Sequence, residues 1–428
     1  MKTTTTIIAA LALAATGHSA AQWRASFDSS SAGGHEEFSL EQIRNEKFKG
    51  VDPVDAILQA YARYATFIPA RIQAVIDRTP EVKLKFPVLD SADPSVVRAE
   101  ASPPADFDSE YALPVSLGTP PQVLPLNLDT GSSDLWVFST DTPPQSLNGQ
   151  KLYYPRNSST SEPLQGATWK IKYGDNSTAS GIVYLDRAAI GPVGYDKQAI
   201  EVAQAVSSAI AQDNFISGIL GMASSAANTV TPNKQLTFLD NILSKLKRPL
   251  FTANLQKARP GNYNFGYINE SEYTGNVAYT PIDPNTPYWM VNLSGYQLGG
   301  SNGSAFSNMT IRGIVDTGTS LLLLPQDVVD AYYAKVPGSR LDARLANVVF
   351  PCNATLPNFV FGVGDGYRGI VPGSYINYGR VSNRECFGGL QSSTGIPFSV
   401  FGDVLLKAQF VVFDRGTLRV GFANKPTV

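Results

Sequence analysis

The residues best suited to chemistry are two aspartates in nearly identical settings. Asp129 lies in the stretch Leu-Asp-Thr-Gly-Ser-Ser, and Asp316 lies in Val-Asp-Thr-Gly-Thr-Ser. Two carboxyl groups held within hydrogen-bonding distance cannot both ionise at low cost, so such a pair shares one proton and titrates as a unit. The protonated partner can polarise a carbonyl while the ionised one takes a proton from water. We therefore expect Asp129 and Asp316 to activate a water molecule together.

Histidine is nearly absent from the chain. His18 and His35 both lie in its first tenth. If that part is removed, the body has no histidine for Ser-His-Asp or Cys-His catalysis, nor for a His-ligated metal site. We predict chemistry on carboxylates, with no metal and no cofactor.

Composition excludes two further classes of protein. The 428 residues carry a net charge of -2, with 16% charged and 10% aromatic residues. A near-neutral chain lacks the basic footprint of a nucleic-acid binder, and low charge with ample aromatic residues argues against disorder. We expect a folded protein with no nucleic-acid partner.

The N-terminus is typical of a secretory signal. Lys2 precedes an apolar run over 7–15, and small residues follow at 19–21. A charged start, a short apolar stretch and a small-residue cleavage site define such signals. The alternative, a transmembrane helix, needs roughly 20 apolar residues. We predict a signal peptide over 1–20 and a secreted, extracellular protein without a membrane anchor; delivery to a vacuole stays open.

The next segment, 21–101, differs in composition from the rest. Residues 22–105 hold 10 basic and 12 acidic residues, whereas the rest of the chain has a lower fraction of charged residues. Asp52-Pro53 followed by apolar residues at helical spacing predicts one helix, and 68–76 a second. The segment is interpreted as a pro-segment ending near Ala101-Ser-Pro-Pro. A small independent domain is the alternative.

The body is predicted to be mainly β. Apolar residues alternate with others over 111–117 and 124–128, and Phe410–Phe413 and Leu418–Phe422 form a hairpin pattern. Helices are expected only over Gln235–Lys247 and Gln326–Val336. The fold class is therefore all-β with a few short helices.

The body also contains an internal duplication. Ile219-Leu-Gly221 follows the first Asp-Thr-Gly, and Val400-Phe-Gly402 follows the second at a similar offset. Paired motifs in the same order imply two similar lobes that each contribute one aspartate. We predict an N-terminal lobe over 102–290 and a C-terminal lobe over 291–428.

Together these motifs resemble the pepsin-like aspartic endopeptidases, most closely their fungal secreted branch. The resemblance implies a bilobal fold with a cleft between the lobes, and peptide-bond hydrolysis at acidic pH by a monomer, with apolar or aromatic residues preferred around the scissile bond. It implies that the hydroxyls of Thr130 and Thr317 hydrogen-bond across the pair. Those of Ser132 and Thr319 would orient the outer carboxylate oxygens. Gly131 and Gly318 suit loops that have no room for a Cβ atom.

The hairpin Tyr173-Gly174-Asp175 matches the family's flap, which closes over an extended peptide. By this resemblance Tyr173 hydrogen-bonds the Trp136 indole. Asp175 and Ser177 match flap positions that let some fungal relatives accept Lys before the scissile bond. Asn176 departs from the family's frequent glycine.

Two features fit a secreted glycoprotein. Cys352 and Cys386 are the only cysteines, and an even count in a secreted chain favours one disulfide over a metal site or a nucleophile. The glycosylation sequons begin at Asn157, Asn176, Asn269, Asn292, Asn302, Asn308 and Asn353.

The expected partners are protein and peptide substrates and the pro-segment itself, as an inhibitor. Lys83 and Lys85 lie in a short basic stretch that could pair with the ionised aspartates and release them at low pH. A solvated charge run is the alternative interpretation of these lysines.

Other functions predict different motifs from those in this chain. A catalytically silent pepsin-like binding protein should have lost an aspartate, a motif glycine or the flap tyrosine, and this chain keeps them all. A lectin-like secreted β-protein predicts no duplicated Asp-Thr-Gly. A retroviral-type dimeric protease carries one copy per chain, whereas both occur here.

Overall fold

A computed structural model of the chain describes residues 35–44, 53–78, 111–172, 178–211, 214–299 and 303–427. The predicted signal peptide, Lys83, Lys85 and the flap residues 173–177 lie outside the described residues. Strands predominate within the described ranges. They are β1 Phe38–Glu41, β2 Ile43–Arg44, β3 Tyr111–Leu117, β4 Gln122–Asp129, β5 Leu135–Val137, β6 Glu162–Lys172, β7 Thr178–Ile190, β8 Val193–Val206, β9 Gly218–Gly221, β10 Leu250–Asn254, β11 Asn262–Phe265, β12 Thr274–Pro281, β13 Met290–Leu293, β14 Gly295–Leu298, β15 Ile311–Val315, β16 Leu322–Leu324, β17 Arg340–Asp342, β18 Asn347–Pro351, β19 Phe359–Val363, β20 Tyr367–Val371, β21 Asn377–Arg380, β22 Glu385–Gly388, β23 Leu390–Ser392, β24 Ser399–Phe401, β25 Gln409–Asp414 and β26 Arg419–Asn424.

Short helices complete the described elements. They are α1 Pro53–Tyr64, α2 Ala70–Arg78, α3 Ser208–Ala211, α4 Phe238–Ile242, α5 Gln326–Tyr333, α6 Gly373–Ile376 and α7 Asp403–Leu406. The two helices predicted for the pro-segment are confirmed as α1 and α2. The helix predicted over Gln235–Lys247 is wrong in length. The Thr237 side chain accepts a hydrogen bond from the Asp240 amide and caps α4, and after Ile242 the chain tightens into a 3₁₀ turn.

The strands form several sheets, which confirms the all-β prediction. An eight-stranded sheet has the order β2-β3-β4-β9-β5-β8-β7-β6, and a six-stranded sheet has the order β1-β11-β10-β25-β26-β12. The C-terminal part adds sheets β13-β15-β24-β16-β23, β14-β19-β20 and β17-β18-β22-β21. The six-stranded sheet joins strands from both predicted lobes, and the lobe boundary at 290 stays a prediction.

The internal duplication is visible in strand pairing. In the first copy β4 pairs parallel with β9, β9 antiparallel with β5, and β5 parallel with β8. In the second copy β15, β24, β16 and β23 repeat these three pairings in the same order. In each copy the first strand leads into an aspartate and a loop, since Asp129 ends β4 and Asp316 directly follows β15. We name residues 129–134 the first Asp loop and residues 316–321 the second Asp loop.

The predicted pro-segment packs against the body through both its strands and its helices. Strand β1 pairs with β11, so the segment supplies one edge of the six-stranded sheet. Helix α1 buries Ile57 and Tyr61 in an apolar cluster that includes Leu321 and Val400. This packing fixes the C-terminal end of α1 over the two Asp loops.

Cys352 and Cys386 form a disulfide, as predicted. Among the helices of the described residues, none is long and apolar enough to cross a bilayer.

Candidate active site

The two aspartates lie side by side at the bottom of the site. Asp129 is the last residue of β4 and Asp316 follows β15, and both side chains are fully buried. Buried strands of Leu and Val end at these residues, so a rigid core positions each carboxyl group. The sequence prediction that the two copies converge agrees with this geometry.

Each carboxyl group receives the same set of hydrogen bonds. The Gly131 amide donates to Asp129 Oδ1 over 2.9 Å, and the Ser132 hydroxyl donates to Oδ2 over 2.6 Å. The corresponding donors to Asp316 are the Gly318 amide at 2.8 Å and the Thr319 hydroxyl at 2.5 Å. Donors of this kind stabilise the charged form of a carboxyl group.

Two threonines tie the Asp loops together. The Thr130 hydroxyl donates to the Val315 carbonyl over 2.8 Å and accepts from the Thr317 amide over 3.0 Å. The Thr317 hydroxyl donates to the Leu128 carbonyl over 2.7 Å and accepts from the Thr130 amide over 3.1 Å. The four bonds are buried and nearly symmetric, and they hold the aspartates in a fixed relation.

The motif glycines are needed for space rather than for an unusual φ angle. A Cβ atom on Gly131 would lie 2.6 Å from Asp316 Oδ1, and one on Gly318 would lie 2.2 Å from Asp129 Oδ1. Each glycine therefore makes room for the carboxyl group of the opposite loop.

The predicted pro-segment contacts both aspartates through the last two residues of α1. Arg63 Nη2 donates to Asp129 Oδ2 over 2.5 Å, and its Nη1 lies 3.5 Å from Asp316 Oδ2. The Tyr64 hydroxyl donates to Asp316 Oδ2 over 2.8 Å. The Tyr64 ring packs edge-on against Tyr288 and Phe398, with centroids 5.9 and 5.5 Å away. One cation and one neutral donor thus cover both carboxyl groups.

The two aspartates differ in pKa although their hydrogen bonds match. Burial raises the pKa of Asp129, but the nearby Arg63 guanidinium and the Ser132 and Gly131 donors outweigh it and lower the pKa below its usual value. Burial and then the negative charge of Asp129 raise the pKa of Asp316. Burial, followed by the charge of Asp316, raises the pKa of Tyr64 well above its usual value, so its phenol keeps its proton. The Arg63 cation therefore favours the ionised form of Asp129.

The other predicted site residues are Trp136 and the residues of the flap. Trp136 is buried and stacks on Trp169 with ring centroids 6.0 Å apart. Tyr173, Gly174, Asp175 and Ser177 lie outside the described residues, although Lys172 pairs with Thr178 on either side of them. In the described part of the chain, no three His, Cys, Asp or Glu side chains converge as a metal site requires.

Sequence reasoning missed Arg63 and Tyr64. The signal was present, because Ile57, Tyr61 and Tyr64 continue one apolar face of α1 and place Arg63 at its end. Sequence alone does not show that this end meets the Asp loops, since the contact joins residues 66 and 252 positions apart in the chain.

Comparisons with known proteins agree with this geometry. The family described as "Eukaryotic aspartyl protease" matches residues 110–425. Endothiapepsin of Cryphonectria parasitica is 43% identical over 91% of this chain and 90% of its own length. Penicillopepsin-3 of Penicillium janthinellum is 43% identical over 90% of this chain and 92% of its own.

A solved structure shows the same fold. The aspartic proteinase from Irpex lacteus has a TM-score of 0.60 at 24% identity, over 74% of this chain and 94% of that one. With the duplicated Asp loops and the paired buried carboxyl groups, these matches identify the activity as peptide-bond hydrolysis of the aspartic type. The chain belongs to the pepsin-like aspartic protease family.

Proposed function

We propose that Asp129 and Asp316 are the catalytic pair of an acid-acting endopeptidase made as a self-inhibited precursor. The observation that carries this proposal is the Arg63 guanidinium in contact with both carboxyl groups. A largely buried cation at this position offsets the negative charge of the pair and occupies the space of the attacking water and the substrate carbonyl.

Once Arg63 leaves, the pair shares one proton and a water molecule enters between the carboxyl groups. The ionised carboxyl group takes a proton from this water, whose oxygen attacks the peptide carbonyl. The protonated carboxyl group gives its proton to the carbonyl oxygen, which yields a tetrahedral diol. When the diol collapses and the C–N bond breaks, the carboxyl group that took the water proton gives it to the leaving nitrogen. The other carboxyl group takes a proton from a diol hydroxyl, which restores the one shared proton. Because the reaction needs one proton on the pair, it runs at acidic pH.

Release of the pro-segment follows from the shift of Asp129. A carboxyl group whose pKa is lowered in the folded state contributes stability above its ordinary pKa of 3.8, and this stability is lost as pH falls through the lowered value. The precursor is therefore latent at neutral pH and opens in acid. Lys83 and Lys85, which the sequence offered as one possible source of this contact, lie outside the described residues, whereas Arg63 and Tyr64 contact the aspartates.

The test is the pH at which the precursor processes itself. Arg63→Gln removes the cation, so we expect half-processing about one pH unit higher, a tenfold change in proton concentration. Arg78→Gln is the matched control, because Arg78 is on the same segment and donates to the Ala343 carbonyl, away from the pair. A half-processing pH that is the same for Arg63→Gln and wild type contradicts the proposed inhibition by Arg63. So does self-processing by Asp129→Asn with no other protease present.

We infer a preference for apolar or aromatic side chains beside the scissile bond. The Tyr64 ring, adjacent to Asp316, packs edge-on against Tyr288 and Phe398, and this aromatic site becomes free when α1 leaves. Acceptance of Lys before the scissile bond through Asp175 and Ser177 is a separate hypothesis. If Asp175→Ser leaves cleavage after Lys unchanged relative to Phe, this hypothesis is wrong.

We also propose secretion, supported by the signal-like N-terminus and the disulfide. Among the sequons, Asn157, Asn292, Asn308 and Asn353 are exposed. The Asn269 amide is half-buried and donates to Glu272, so it is a poorer acceptor. Asn176 and Asn302 lie outside the described residues. Mass mapping of glycopeptides from secreted protein tests all of these sites.

A further inference from the structure

A second pair of buried carboxyl groups lies behind the first Asp loop. Asp134 ends this loop and Glu201 lies on β8, and each side chain is only 1% exposed. The parallel pairing of β5 with β8 sets Glu201 beside Trp136, and β7 sets Val183 on its other side. The Asn228 side-chain amide donates to one oxygen of each, which places the two carboxyl groups next to each other.

The neutral partners of this pair supply too few donors for two carboxylates. Asn228 Nδ2 donates to Asp134 Oδ1 and to Glu201 Oε1, each over 2.9 Å, and the Thr229 amide donates to Asp134 Oδ1 over 2.8 Å. Glu201 Oε2 is buried without a hydrogen-bond partner. A proton on Glu201 that is donated to Asp134 removes this deficit.

The surroundings offer no compensating positive charge. No lysine, arginine or histidine among the described residues forms an ion pair with Asp134 or Glu201, and the neighbouring Asp129 is negative. The facing strands contribute apolar residues, and the 228–229 segment contributes neutral amides. Burial first, and then the charge of Asp134, raise the pKa of Glu201 well above its usual value.

Backbone hydrogen bonds and the Asn228 side chain hold the first Asp loop in place next to this pair. The Asp134 carbonyl accepts from the Gly221 amide over 3.0 Å, and the Ser132 carbonyl accepts from the Ala223 amide over 2.8 Å. Asn228 Nδ2 also donates to the Ser133 carbonyl over 3.2 Å. A second negative charge at this position would therefore act directly on the backbone that carries Asp129.

We propose that Glu201 is a positioning residue whose proton, shared with Asp134, holds the Asp129 loop, and that loss of this proton sets the upper pH limit of the enzyme. The proposal rests on the proposed catalytic role of Asp129. A group with a raised pKa in the folded state contributes stability below its unfolded pKa, which is 4.5 for Glu. That stability is lost as pH rises through the folded value. Folding and activity should therefore fail together as pH rises.

The test is Glu201→Gln in the mature enzyme, which keeps the shape and a donor but cannot ionise. We expect the pH midpoint of unfolding, followed by tryptophan fluorescence, to rise by about one unit. Inactivation at neutral pH should slow about tenfold. The descending limb of the pH–activity profile should move to higher pH together with the unfolding midpoint. Glu162→Gln is the matched control, because Glu162 is an exposed carboxylate in the same sheet, paired with Lys197. It should change none of these values.

Two further measurements keep the proposal testable if Glu201→Gln folds poorly. The double variant Asp134→Leu/Glu201→Gln should show the same upward shift. Infrared spectroscopy of the wild type should show a protonated carboxyl band near neutral pH that Glu201→Gln removes. An unchanged midpoint, uniform destabilisation at every pH or an unchanged band overturns the proposal. Fluorescence and infrared readouts do not depend on turnover, so failure of Asp129 as a catalytic residue is detected separately.

Discussion

The two Asp loops present the same face to the substrate cleft and different faces to the protein interior. Toward the cleft each offers an aspartate, a glycine amide and a hydroxyl with matching hydrogen bonds. Toward the interior the first loop ends at Asp134, whereas the second ends at Leu321. The residue facing each loop from the parallel strand differs in the same way, since Glu201 corresponds to Gln391.

The interior of the second loop has a non-ionising arrangement. Leu321 is fully buried in the apolar cluster that also receives α1. The Gln391 amide donates to the carbonyls of Val348 and Gly388 and accepts from the Val348 amide. The two Asp loops are therefore symmetric where the carboxyl groups meet and different in the protein interior. This indicates that the reaction requires symmetry only around the carboxyl groups. Among the described residues behind the carboxyl groups, the first Asp loop has the titratable Asp134 and Glu201, whereas the second has Leu321 and Gln391 at the corresponding positions.

The most damaging test of this comparison is to place a carboxyl group behind the second loop. Leu321→Asp buries an acid with no prepared partner, so we expect a loss of about 3–5 kcal/mol of unfolding free energy that grows as pH rises. Leu321→Ala is the control, with a loss of about 2–5 kcal/mol from the cavity alone. Denaturant unfolding at two pH values distinguishes them. A pH-independent loss for Leu321→Asp would show that the second lobe tolerates the charge.

The symmetric part of the comparison is tested at the threonines. Thr130→Val and Thr317→Val each leave a buried carbonyl without its donor and a buried amide without its acceptor. We expect each to cost about 1–3 kcal/mol, with nearly equal losses. Thr130→Ser and Thr317→Ser keep the hydroxyl and should unfold close to wild type. A loss confined to one threonine in denaturant unfolding would show that the loops do not support each other equally.

The smallest expected effect concerns the outer hydroxyls. Ser132→Ala and Thr319→Ala each remove a hydrogen bond that lowers the pKa of the adjacent aspartate. The pKa values of the pair should rise, and the ascending limb of the activity profile should shift to higher pH by up to about one unit, since one such bond contributes about 0.5–1.5 kcal/mol. Exchanging the hydroxyl residues, as Ser132→Thr and Thr319→Ser, should leave the pH profile of kcat/KM in place. A shift toward lower pH would contradict the account.

Much of the fold and of the site follows from local sequence. Asp-Thr-Gly after an apolar strand, repeated with a downstream glycine strand, was sufficient to predict two similar lobes and the paired aspartates. Helix α1 followed from Asp52-Pro53 and its apolar spacing. The cysteines were paired correctly because only two exist.

What could not be predicted depends on contacts between distant segments. Arg63 reaches Asp129 only because α1 packs on the cluster around Leu321, and nothing near Arg63 in the sequence specifies that surface. Glu201 meets Asp134 only through the parallel register of β5 and β8, and the sequence pattern of β8 does not fix that register. The helix predicted over 235–247 is too long. Thr237 caps the helix, which begins three residues later than predicted, at Phe238, and ends at Ile242.

The central claim is that Asp129 and Asp316 hydrolyse peptide bonds as one unit. Its most direct test is acid digestion of a denatured protein by the processed enzyme, with cleavage sites mapped by mass spectrometry. Asp129→Asn and Asp316→Asn, each with its pro-segment removed by an added protease that is then inactivated, are compared with wild type. We expect wild-type cleavage beside apolar and aromatic residues that a statine-type inhibitor blocks, and a loss of roughly 10²–10⁴-fold or more in both variants. Inhibitor-sensitive cleavage that survives in either variant, or its absence from the wild type at every acidic pH, would contradict the claim.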